Sequence, residues 1–157
     1  MASTELKNLT QLLRQQKSFA AQDISLQQRR EGMEAMQATL AIPEDVKIKA
    51  VDIQGIPGCW VSAPGAATNA YVLYFHGGGY VMGSLNTHKE LMARISRYCG
   101  ATVLGVDYRL APEHVFPAAV EDGLSSYQWL LAQGASPERI MIAGDSAGGG
   151  LTMATLL

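Results

Sequence analysis

The sequence predicts an α/β protein in which a mostly parallel sheet is flanked by helices, and three observations predict it. From residue 46 onward, short apolar runs alternate with helix-prone stretches. Strands and helices in alternation close into a parallel sheet through right-handed crossovers. A serine between two glycines stands directly after one apolar run, and a row of three glycines stands just after another. The third observation is size: 157 residues are enough for one domain with a sizeable core.

Residues 4–20 and 25–41 are polar, glutamine-rich and helix-prone. Leu6, Leu9, Leu13 and Phe19 fall near one face of the first, while Ile24, Met33, Met36 and Leu40 do so less regularly in the second. Pro43 then breaks the pattern. Two narrow apolar stripes cannot make a core, so residues 1–45 read as a helical lid on a larger unit, residues 46–157. Val46–Val51 alternates, and Gly55–Ala63 is expected to return as a hairpin strand. Tyr71–Phe75 is continuously apolar, as a strand covered on both faces must be. Ser84–Cys99 is helical and stops at Gly100. Ala101–Val106 is a second buried strand. Pro117–Gln133 is a helix entered through proline and left through Gly134. Ile140–Ala143 is the last strand, and Ser146 opens a helix of small residues.

Composition excludes several classes of function. The chain is 48% hydrophobic and 17% charged, with net charge −2, which gives no reason to expect nucleic acid or an acidic membrane surface as partner. No apolar stretch approaches the roughly 20 residues that span a bilayer. Met1–Glu5 lacks the basic and apolar regions of a secretory signal. Cys59 and Cys99 read as free structural thiols, consistent with a cytoplasmic setting. No Cys/His cluster has zinc-ligand spacing, and neither metal nor cofactor is expected.

The chemistry sits in two glycine motifs. Gly144-Asp145-Ser146-Ala147-Gly148 follows the apolar run Arg139–Ala143 and precedes a helix. That context fits a sharp strand-to-helix turn lifting a serine hydroxyl above a sheet, the nucleophile elbow of α/β-hydrolases. Its bland alternative is a glycine-rich turn without chemistry. His76-Gly77-Gly78-Gly79 ends the 71–75 strand. Acyl transfer needs backbone N–H groups around the negative oxygen of a tetrahedral intermediate, and glycines let the backbone approach closely. The amides of Gly78, Gly79 and Ala147 are the candidate oxyanion donors, and Ser146 is the candidate nucleophile. Phosphate binding does not fit this loop. Gly78-x4-Gly83 is followed by Ser84-Leu85 rather than Lys-Ser/Thr, and Met82 stands where a dinucleotide fingerprint needs its third glycine.

Four segments in register, His76–Gly79, Asp107–Glu113, Phe116–Ala119 and Gly144–Gly149, closely resemble the microbial hormone-sensitive-lipase-like esterases, often called family IV. The likeness runs from about residue 45 to the last residue, and the helical N-terminus resembles the first part of that family's cap. The resemblance implies an α/β-hydrolase fold and hydrolysis of short-acyl esters without a cofactor. It implies that Ser146 is the nucleophile, that Gly78 and Gly79 help build the oxyanion hole, and that His76 orders the loop. It also makes Gly77, Gly144, Asp145 and Gly148 motif positions, and Asp107, Arg109 and Glu113 a structural segment near the site. An arginine–carboxylate arrangement there would brace the loops, with a pairing the sequence does not reveal.

In that family the acid and the histidine follow the serine. Here eleven residues follow Ser146, and none is Asp, Glu or His. The chain is therefore expected to be truncated after the elbow helix, needing a complementing C-terminal segment or a second chain. His88 and His114 read as surface or loop residues rather than bases. A serine without its base is a weak nucleophile. The last strand would also leave an unpaired apolar edge, so the 157 residues are not expected to be a self-sufficient monomer. Two other readings remain: a non-catalytic, receptor-like relative that keeps the pocket, and an inactive truncated fragment.

Overall fold

The computed structural model describes residues 24–157 together with 3, 4, 6, 7, 10 and 11. Of the first expected helix, Thr4, Leu6, Lys7, Thr10 and Gln11 are helical, and the remainder lies outside the described residues. Helix α1 (Leu26–Gln37) begins at Ser25, whose hydroxyl accepts the Gln28 amide while the Gln28 side chain accepts the Ser25 amide. This reciprocal cap satisfies donors that a helix start otherwise leaves open. No residue of α1 is buried, and Ile24, Met36 and Leu40 are exposed. The expected apolar stripe is therefore not what holds the helix down.

Among the described residues, five strands form one mixed sheet in the order β1-β2-β4-β3-β5. β1 (Lys47–Ile53) and β2 (Ile56–Ser62) make the expected hairpin, turning through Gln54 and Gly55 at positive φ, and β2 runs antiparallel to β4. β3 (Ala67–Phe75) lies parallel to both β4 (Ala101–Val106) and β5 (Ile140–Gly144). The parallel connections pass through α2 (Leu85–Cys99) and α3 (Ala118–Ala132), and α4 (Ala147–Leu156) follows β5. Ser84 caps α2, and Gly100 ends it at φ 62°, where a side chain would be strained.

The two faces of the sheet have separate cores. Val72 and Tyr74 pack with Cys59, Val61, Val103 and Met92 on the α2 side. Leu73 and Phe75 pack with Leu104, Val106, Leu130 and Leu151 on the α3–α4 side. This is the two-residue alternation of a strand buried on both faces. Every residue of β4 is buried. Among the described residues β5 pairs on one side only, and Met141 is exposed on that strand, as Met153 and Leu156 are on α4. Cys59 is buried, Cys99 is exposed, and the two are unpaired. No described helix is long and apolar enough to cross a membrane.

Candidate active site

Phe75 and Gly144 pair at the C-terminal ends of the parallel neighbours β3 and β5. Both glycine motifs start there, so strand register sets the triple-glycine loop beside the serine turn. The contact is direct. The Gly77 amide donates to Asp145 Oδ1 at 2.8 Å across 68 residues of sequence.

Ser146 stands at φ 50° and ψ −118°, a conformation glycine adopts freely and other residues hold at a cost of about 1–3 kcal/mol. Close approach of backbone enforces it. A Cβ on Gly148 would lie 2.0 Å from the Phe75 carbonyl oxygen, and one on Gly144 would lie 2.4 Å from the Gly148 carbonyl. Both flanking glycines are thus required by the turn. Ser146 is exposed and does not cap the helix it opens. Its oxygen is presented to solvent at the positive end of α4.

Asp145 is the anchor beneath the serine. Its Oδ1 also accepts the Tyr74 hydroxyl at 2.7 Å and lies 3.4 Å from His88 Nε2. Partial burial works against its charge, but the Tyr74 bond, His88 and the Gly77 amide outweigh it and hold the carboxyl below its ordinary pKa. His88, expected at the surface, is 7% exposed, with Nδ1 2.7 Å from Thr87 Oγ1. It bridges the start of α2 to the serine turn.

In the glycine loop, Gly78, Gly79 and Tyr80 have φ of 129°, 65° and 62°. The turn is closed by the Val81 and Met82 amides, which donate to Gly78 O at 3.2 and 3.0 Å. A Cβ on Gly78 would sit 2.0 Å from Met82 O. Among the described residues the amides of Gly78, Gly79 and Ala147 donate to no acceptor. His76 is buried beneath the loop and stacks on Tyr108 at 4.4 Å, while the Tyr108 hydroxyl donates to His76 O at 2.6 Å. His76 Nδ1 lies 2.8 Å from Gly77 O. A carbonyl only accepts, so Nδ1 carries the proton. Nε2 is left without a partner, 3.8 Å from the Asp107 carboxylate. Burial lowers the pKa of His76 and raises that of Asp107.

The Asp107–Glu113 segment is braced in three directions. Asp107 accepts the Leu85 amide at the start of α2, at 3.2 Å. Arg109 Nε donates to Asp122 Oδ1 at 2.9 Å, its backbone amide donates to Asp122 Oδ2 at 2.8 Å, and Nη2 reaches Glu121 at 3.0 Å. Glu113 is held by Arg30 through two bonds of 2.7 and 2.8 Å, which draw its pKa down to about 2. Arg109 and Glu113 therefore belong to different ion pairs. A cavity of about 380 Å³ opens beside this segment, lined by Tyr80 of the loop, Phe116 and Val120 near α3, and Ala154 of α4, with His114 at its wall. Among the described residues, no three His, Cys, Asp or Glu side chains gather so as to hold a metal ion.

Sequence reasoning missed Tyr74, His88 and Arg30. Tyr74 reads as any apolar strand residue, although a buried tyrosine hydroxyl needs a hydrogen-bond partner. Arg30 carried no local signal at all in a polar helix.

The match to known proteins follows this geometry. Residues 72–157 match the family described as alpha/beta hydrolase fold, and the chain belongs to that family. It is 46% identical over 97 residues to an acetyl-hydrolase of Streptomyces hygroscopicus, an alignment covering 62% of this chain and 32% of that one. The solved structure of EstE5, soaked with p-nitrophenyl butyrate, is 46% identical with a TM-score of 0.93, over 99% of this chain and 52% of that one. An esterase of the bacterial hormone-sensitive lipase family is 42% identical with a TM-score of 0.91, at the same coverage. These similarities bear out the resemblance carried by the four motifs. The chain spans about half the length of those solved relatives and less than half of the curated ones it matches.

Proposed function

We propose that the protein is a serine carboxylesterase hydrolysing short-acyl esters through an acyl-enzyme. The observation that carries this reading is Ser146, exposed and held at φ 50° between β5 and α4, with its neighbour Asp145 tied to the first residue of a glycine loop whose next two amides have no acceptor among the described residues. Ser146 Oγ attacks the ester carbonyl carbon and its proton passes to a base. The carbonyl oxygen takes up the negative charge and is met by the amides of Gly78, Gly79 and Ala147. Collapse breaks the bond to the alkoxy oxygen, which leaves as the alcohol, and water then releases the acid by the reverse sequence.

Among the described residues no hydrogen bond or ion pair joins His76, His88 or His114 to Ser146. The proposal therefore takes the base and its orienting acid from a complementing C-terminal segment or a second chain. A helical cap over residues 1–45 and a cytoplasmic setting belong to the same reading. Retention of the serine and of both oxyanion glycines favours an enzyme over a receptor-like relative. Turnover of p-nitrophenyl butyrate, with covalent labelling of Ser146 by an organophosphate, tests it. Full-length protein that neither turns over nor labels rules it out, whereas this chain without the base is expected to do little of either.

A further inference from the structure

Helix α1 buries no residue, yet it is bound to the glycine loop by two side chains one turn apart. Arg30 Nε donates to Val81 O at 2.7 Å, and Nη2 donates to Ala111 O at 3.0 Å. Both Nη atoms also hold the Glu113 carboxylate. Glu34, four residues on and therefore on the same helix face, accepts the Ser84 hydroxyl. Val81 and Ser84 bracket the end of the loop. The Ala111 amide in turn donates to Tyr80 O at 2.9 Å. Arg30 thus joins two strands of chain, 80–81 and 111–113, exactly where the loop turns back; it uses four of its five N–H donors to do so.

This matters because the loop is under tension. Gly78, Gly79 and Tyr80 follow one another at positive φ. Tyr80 has a Cβ and pays about 1–2 kcal/mol to stay there. Such a conformation persists only where its surroundings over-determine it.

Resting on the ester-hydrolysis reading, we propose that Arg30 is a positioning residue: by strapping α1 across residues 80–84 it keeps the Gly78 and Gly79 amides aligned for the oxyanion. The Glu113 pair is half exposed and screened, so the carbonyl bonds do most of the holding. A planar fork meets two carbonyls and both carboxylate oxygens with four bonds from three nitrogens, whereas an ammonium has three donors on a single atom. Loss of alignment weakens only an interaction made in the transition state, which lowers kcat and leaves KM unchanged.

The test compares Arg30→Met, Arg30→Lys and Glu113→Gln in the intact protein. Hydrogen exchange is read at the Val81 and Met82 amides, with the β1–β2 hairpin as internal reference, alongside p-nitrophenyl butyrate kinetics. Arg30→Met is expected to speed loop exchange about tenfold with the hairpin unchanged, and to lower kcat about tenfold with KM within about threefold. Arg30→Lys should recover less than half of either loss, and Glu113→Gln, at an exposed site that threatens no core, should move both in the same direction by a smaller factor. Unchanged loop exchange overturns the proposal, as does faster exchange with unaltered kcat, or a change confined to KM. If the parent protein shows neither turnover nor labelling, the ester reading fails, and loop exchange alone then decides whether Arg30 straps the loop.

Discussion

Asp145 Oδ1 accepts the Gly77 amide at 2.8 Å, so the residue preceding the serine holds the start of the loop that faces it. The same oxygen takes the Tyr74 hydroxyl from the strand below. One carboxylate thereby sets the distance between two motifs that the chain keeps far apart.

Replacing that carboxylate should separate the motifs. Under the proposed esterase reading, Asp145→Ala in the full-length protein is expected to lower kcat/KM for p-nitrophenyl butyrate by about 100-fold, the scale of a lost oxyanion contact. Asp145→Asn keeps one acceptor and should lose about tenfold. Tyr74→Phe removes one bond to a charged group and should cost about 1–2 kcal/mol of stability, read as a lower denaturant midpoint.

Neighbouring glycines should respond oppositely to the same methyl group. Gly148→Ala drives a Cβ into the Phe75 carbonyl and should destabilise the protein by about 3 kcal/mol or more. At Gly149 the nearest atom is 3.4 Å away, so Gly149→Ala meets ordinary contact. It should gain about 0.5–1 kcal/mol from helix propensity. Thermal unfolding of the two variants checks both signs.

Backbone strain at Ser146 predicts a stability gain on losing the side chain of the proposed nucleophile. Ser146→Gly should relieve φ 50° and raise stability by about 1 kcal/mol, while Ser146→Ala retains the strain and gains nothing. Both should abolish organophosphate labelling. Equal melting temperatures for the two variants would show that the turn is unstrained.

The contact between buried His76 and half-buried Asp107 predicts a modest pH dependence, because solvent reaches the Asp107 carboxylate and screens it. Burial raises the Asp107 pKa above its ordinary 3.8, so its ionisation in the folded state opposes folding at neutral pH. As pH falls through the raised value towards 3.8, the folded carboxyl takes up its proton and that penalty disappears. Asp107→Asn removes the penalty at every pH and supplies an N–H donor for the unpartnered His76 Nε2. The variant should be more stable than the parent by about 0.5–1 kcal/mol at pH 7, with the gain shrinking in acid. His76 acts in the other sense: its lowered pKa makes stability fall as pH drops below 6.5, in parent and variant alike. Denaturant midpoints from pH 7 to pH 4 separate the two.

Much of this was legible in the chain. Val72 through Phe75 is apolar, and Ala101 through Val106 is apolar apart from Thr102, because both faces of those strands are covered, and Gly100 marks a helix end because a left-handed residue is needed there. The spacing of Gly144, Ser146 and Gly148 records a turn in which only glycine avoids the neighbouring carbonyls. Arg30 escaped notice because nothing adjacent in sequence explains it: all its partners lie more than 50 residues away. His88 looked like surface for a related reason, since helical periodicity does not say which strand a helix will cover.

Local chemistry in the chain was enough to specify the strand–helix alternation, the glycine turns and the sharp turn at Ser146, because each depends on steric and solvation preferences acting over a few residues. Only folding decided that Arg109 pairs with Asp122, that Arg30 takes Glu113, and that Asp145 reaches Gly77. Those partners are selected by strand register and helix docking, and a charge or a hydrogen bond carries no label in sequence for the group it will meet.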